Sequence, residues 1–297
     1  GLPAPPALDL NNPFGQFRFL AYDSVAAYAQ QWDLSIQREF GQNWLIDAAY
    51  VGTKGTHLLQ IVDPNQPVHG AGPIAPRRHL FAFAPNVTTS VVDSSGNSTY
   101  HSMQLKLQKR FSRGFYFLSA YTLSKNIGDL DSNFSNGTPG VNSFGQVQDA
   151  NNRALDRSLT DTDQTHRFVT SYGWDLPFFR GSRLGGWQLS GIVTLASGNP
   201  FDILIQPSTL NTGTAQRPHR IADGRIENWT IDRYFDLAAF ISPAAFEFGN
   251  SGRNVLRAPG VNSYDFSIIK DTSITERFRL QFRTDLFNAF NNPQFNP

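Results

Sequence analysis

The chain has no cysteine among its 297 residues. A disulfide framework, a thiolate nucleophile and a thiolate metal site are therefore excluded. Charge is also sparse: Asp, Glu, Lys and Arg make up 16% of the residues, where soluble domains average about a quarter. The net charge is +1 and the cations are scattered singly, leaving neither a basic field for nucleic acid nor an acidic tail. Nucleic acid is thereby excluded as a partner. Long apolar runs are missing too. Stretches such as Phe19-Leu20-Ala21-Tyr22 fall far short of the roughly 18 residues of a spanning helix, so any membrane crossing would have to use strands. The chain opens at Gly1 with no charged and then apolar leader pattern; a signal peptide of the parent would lie outside it.

What is present is aromatic residues, 13% of the chain with Phe alone occurring 25 times, and period-two alternation in segments of about ten residues. From Tyr28 to Phe40, Tyr28, Trp32, Leu34, Ile36 and Phe40 alternate with Gln31, Asp33, Ser35, Gln37 and Glu39, one set for each face of a strand. A tight turn at Gly41-Gln42-Asn43 leads to Trp44 to Val51. Ser102 to Phe111 sets Met103, Leu105 and Leu107 against Gln104, Lys106 and Arg110, and turns through Ser112-Arg113-Gly114 into Phe115 to Ser124. Arg167 to Leu176 with Trp187 to Ala196, and Tyr264 to Ile269 with Phe278 to Phe287, repeat the unit. Phe14 to Ala21 reads as the end of a further strand.

The spacing predicts one all-β domain over 1–297, a portion of an antiparallel transmembrane β-barrel with eight or nine meandering strands. Three long connections, about 52–99, 126–164 and 198–262, alternate with short turns. Outer-membrane barrels show this asymmetry, with short periplasmic turns and long extracellular loops. A soluble antiparallel sandwich also alternates, and three features weigh against it. Ten residues at roughly 3.3 Å each, tilted about 45°, span roughly 23 Å, close to a barrel's apolar band. Aromatics gather at the short turns (Phe40 and Trp44, Phe111 and Phe115, Trp174 and Trp187), with Tyr28, Tyr50, Tyr100, Tyr121 and Tyr264 toward the other end, as two interfacial girdles require. Finally, a cation at the lipid midplane costs about 2–4 kcal/mol. Gln31, Asp33, Gln37, Gln104, Lys106, Arg110, Arg279, Gln281, Arg283 and Asp285 are accordingly expected to face the lumen, while Lys109 and Arg38, on the apolar side but near turns, would snorkel.

Nothing points to an enzyme, a catalytic residue, a cofactor or a bound metal. The six histidines, His57, His69, His79, His101, His166 and His219, lack ligand spacing. Gly52-Thr53-Lys54-Gly55-Thr56 lacks the phosphate-loop pattern and reads as a strand exit. Asp129, Asp131 and Asn133 have the alternate spacing of a calcium loop without its closing Glu. In the third long connection Arg217, Arg220, Trp229, Tyr234 and Phe235 form a set able to stack on and hydrogen-bond a ligand, or to pack the loop against itself.

Several motifs occur in an order that resembles the barrel of TonB-dependent receptors of the Oar-like group. They are Tyr100-His101-Ser102-Met103-Gln104-Leu105, Lys109-Arg110-Phe111, Tyr121-Thr122-Leu123-Ser124-Lys125, His166-Arg167-Phe168, Leu176-Pro177-Phe178, Gly185-Gly186-Trp187-Gln188-Leu189-Ser190-Gly191, Ser197-Gly198-Asn199-Pro200-Phe201, Phe248-Gly249-Asn250-Ser251 and Phe287-Asn288-Ala289-Phe290-Asn291. The resemblance implies a barrel of about 22 strands in the outer membrane of a Gram-negative bacterium. It further implies a plug domain, coupling to a TonB system and uptake of an extracellular ligand. Neither plug nor closing strand is visible, so the chain reads as a fragment. A small outer-membrane adhesion or structural barrel and a soluble β-sheet binding module are the alternatives.

Overall fold

A computed structural model describes residues 14–83, 86–129, 147–178, 184–214 and 216–295. Fourteen strands form: β1 (Phe14–Leu20), β2 (Tyr28–Phe40), β3 (Trp44–Val62), β4 (Asn86–Ser112), β5 (Phe115–Gly128), β6 (Ser158–Leu159), β7 (His166–Asp175), β8 (Trp187–Ala196), β9 (Pro200–Phe201), β10 (His219–Arg220), β11 (Phe240–Ile241), β12 (Leu256–Arg257), β13 (Val261–Ser273) and β14 (Arg279–Leu286). Ten belong to one sheet, whose path β2-β3-β4-β5-β7-β8-β13-β14 is an antiparallel meander. The expected all-β architecture is what the chain adopts, and β2 and β8 have the bounds the alternation predicts.

The turns follow from local chemistry. Arg113 and Gly114 both have positive φ and close the two-residue hairpin between Ser112 and Phe115, the backbone sense that matches strand twist. At the other end of the sheet the strands run on. Much of the connection read as a loop over 52–99 is strand instead: β3 continues to Val62 and pairs with β4 from Val91 onward. The segment Gly52 to Thr56 therefore lies within β3 and is not its exit. Two register shifts, between Thr56 and Leu58 and between Leu58 and Gln60, follow in succession, the first at His57, whose φ is 59°. Such bulges bend a hairpin and re-aim its faces.

Phe14–Leu20 is a strand, but no member of the meander. β1 pairs in parallel with the outer end of β4, Leu20 opposite Val92, on the edge that β5 leaves free by ending at Gly128, opposite Ser98.

Most of the buried core sits at the outer end of the sheet. Val87 and Val91 in the outer end of β4, and Val147, Leu210, Ala239 and Leu256 in the connections, are buried, whereas Trp32, Leu34, Ile36, Ile268, Leu280 and Phe282 on the sheet are exposed. The three connections are knitted by buried polar contacts into one cap. Gln66 donates to the Gln148 carbonyl and accepts from the Ala150 amide. Arg217 pairs with Asp156 at 2.6 Å and donates to the Leu155 and Ser251 carbonyls. Arg77 reaches the Asn211 carbonyl, and Arg253 the Gly128 carbonyl.

Candidate functional site

Alternation along each strand, combined with register between strands, sorts the sheet into two chemically distinct faces. Starting from Leu34, one row runs Leu34, Tyr50, Met103, Leu123, His166. Another runs Trp174, Leu189, Ile268, Thr284. All four sheet tryptophans, Trp32, Trp44, Trp174 and Trp187, fall on this apolar face. The carboxylates Asp33, Glu39, Asp47, Asp175, Asp265, Asp271 and Asp285 all fall on the other.

Cations on the apolar face occur only at its two ends. At the short-turn end Lys109 donates to the Ser112 and Phe115 carbonyls and lies over the Trp44 ring. Lys270 donates to the Gly185 carbonyl beside Trp187, and Arg38 lies over Phe40. Each rests its charge at the rim while its stem covers apolar surface. At the other end Tyr50 and His101, and Tyr121 and His166, are hydrogen-bonded pairs at 2.7 and 2.8 Å. Between the ends, Ser119 and Thr170 satisfy one another through their hydroxyls at 2.7 Å, which removes two unpaired polar groups from an apolar setting.

Gln31, Asp33, Gln37, Gln104, Lys106, Arg110, Arg279, Gln281, Arg283 and Asp285 all fall on the polar face. Within it Arg110 pairs with Glu39 at 2.6 Å. Arg283 pairs with Asp285, which also accepts from Ser267, and Gln281 donates to Asp271. The β2/β4 group and the β14 group are not brought together, because β2 and β14 are the opposite edges of the sheet.

The loop set divides. Arg217 is buried, with its Nε, Nη1 and Nη2 all donating inside the cap. It is a tie between loops and is withdrawn as a ligand contact. Arg220 donates to the Ala222 and Asp223 carbonyls and to the Asp223 carboxylate, closing its own turn. Trp229, Tyr234 and Phe235 do come together, around a cavity of about 170 Å³ with Arg225, Ile226 and Arg257. Trp229 and Tyr234 pack edge to face, centroids 5.0 Å apart. The Tyr234 hydroxyl donates to the Arg257 carbonyl at 2.6 Å, and burial raises its pKa. Asp129 pairs with Arg157 at 3.1 Å; Asp131 and Asn133 lie outside the described residues. No sequence spacing announced the buried residues Gln66, Gln148, Asp156 and Asp163, which hold the cap together.

A family model described as "Outer membrane beta barrel domain" matches residues 2–297. The chain belongs to the outer membrane β-barrel domain family. The family places it in the outer membrane and decides against the soluble sheet. No curated protein matches. Among solved structures it is similar to the outer membrane transporter YddB from Escherichia coli, at 10% identity and a TM-score of 0.51. The match covers 95% of this chain and 30% of that one, so the chain spans less than a third of the transporter's length, and the likeness is one of fold. In outer-membrane barrels generally, a face of this kind, apolar with terminal aromatics and rim cations, is the one that meets lipid.

Proposed function

We propose that this β-barrel chain is a sector of a TonB-dependent receptor of the Oar-like group, binding or taking up an extracellular ligand without covalent chemistry. The observation that supports this most is the asymmetry of the sheet's ends. Short turns close one end, and three long connections merge at the other into a single cap. In this reading the cap lies outside the cell and the polar face lines the lumen. Further strands join the unpaired edges of β2 and β14, and a plug domain coupled to the TonB system controls passage. The cluster of Trp229, Tyr234 and Phe235 is the best-placed loop surface to touch a ligand.

The absence of native cysteine makes the reading testable by single substitutions labelled in intact cells with a water-soluble maleimide. Cysteines replacing Gln104 and Gln281 should react only when the inner membrane is energised, and one replacing Leu105 should stay unreactive. Labelling that ignores energisation would argue against TonB coupling. A small closed adhesion barrel has one feature in its favour, the unbroken eight-strand meander. It requires β2 to pair with β14, so spontaneous disulfide formation between cysteines at Ser35 and Arg283, which share the polar face, would favour it over the receptor.

A further inference from the structure

Five lysines and arginines reach the apolar face of the meander, and four are already engaged. Arg38 lies over Phe40, and Lys109 and Lys270 hold turn carbonyls. Lys54 donates to the Asn97 side chain at 3.4 Å. The fifth, Lys125, is exposed, and its side chain has no hydrogen bond or ion pair with any described residue. It lines a cavity of about 530 Å³, a volume typical of ligand sites.

Two adjacent rows of the ladder form one wall of this cavity, with Leu159, Thr165 and Arg257 beside them. Tyr50, Met103 and Leu123 lie in the row nearer the short turns, and His101 and Lys125 in the next row outward. Apolar surface therefore stands on the membrane side and polar groups with one unpaired cation on the outer side. The Tyr50 hydroxyl holds His101 Nδ1, leaving Nε2 free to face a ligand. Arg257 also borders the space, but Asp163 already neutralises it, so the local excess charge is that of Lys125.

We infer that this cavity holds a phosphorylated lipid of the outer leaflet, its acyl chain against Met103 and Leu123 and its phosphate on Lys125 with His101. An anionic amphiphile matches both rows at once, whereas a free anion would leave the apolar row wet and a neutral lipid would leave Lys125 unanswered. The inference rests on the reading of this end as the outer one.

The test uses the full chain in zwitterionic micelles and native mass spectrometry, with diphosphorylated lipid A, phosphatidylcholine and inorganic phosphate as probes. The expected result is selective retention of lipid A. Lys125→Gln should weaken it about fivefold, the share of one lysine beside an anionic lipid, and Lys125→Arg should restore it; Lys270→Gln should change nothing. Equal retention of phosphatidylcholine, equal binding of inorganic phosphate, or indifference to Lys125→Gln would overturn it. Quenching of the sheet tryptophans by brominated acyl chains separates the two readings. Quenching without headgroup preference defeats this inference alone, and absence of quenching defeats the membrane placement of the face as well.

Discussion

The indole of Trp32 covers Gly52 across the β2–β3 ladder so closely that a Cβ built on the glycine would stand 2.3 Å from the ring. Glycine in a strand interior normally weakens it; here the neighbouring ring fills the gap. Gly52→Ala is expected to displace the indole and cost about 1–3 kcal/mol, the usual range for overpacking. Urea unfolding in micelles, followed by tryptophan fluorescence, checks both parts. An unchanged emission spectrum together with unchanged stability would contradict the packing described.

Leu34 and Ser35 are consecutive on β2 yet face opposite sides of the sheet. Leu34→Arg should cost about 2–4 kcal/mol if it falls near the bilayer midplane, and Ser35→Arg well under half of that. Refolding yields of the two variants into lipid vesicles provide the comparison. Equal losses would mean that the faces are wrongly assigned.

Two ion pairs with the same 2.6 Å separation should behave very differently. Arg217 and Asp156 are 5% and 2% exposed, while Arg110 and Glu39 are 53% and 58% exposed. Breaking a buried pair by removing one partner costs about 3–5 kcal/mol, so Arg217→Ala should loosen the cap and open residues 147–165 to limited proteolysis. Arg110→Ala should cost under about 1 kcal/mol and leave the digestion pattern unchanged.

The meander was legible because a strand between lipid and water must alternate. Tyr28–Phe40 and Trp187–Ala196 carry that signal over most of their length. It fades where the environment stops being two-sided. In β3 beyond Gly52, buried residues such as Gln60 are polar, so strand and loop look alike in sequence. β1 was readable as extended, but its parallel partner lies some seventy residues away, and alternation carries no information about a distant edge. The same limit hid the true role of Arg217. Arginine beside aromatics suits a ligand as well as a buried carboxylate, and only the position of Asp156, 61 residues earlier, distinguishes them. The aromatic trio was legible as a set, although its mutual packing was not.

The cap has no single owner. Gln66 comes from the first connection, Gln148 and Asp156 from the second, and Arg217 from the third, so no one connection can be shortened, exchanged or redesigned without stranding polar groups on the others. Relatives that diverge in what they meet at the cell surface should therefore change these three segments together, as one inherited unit, while the rows beneath them drift independently.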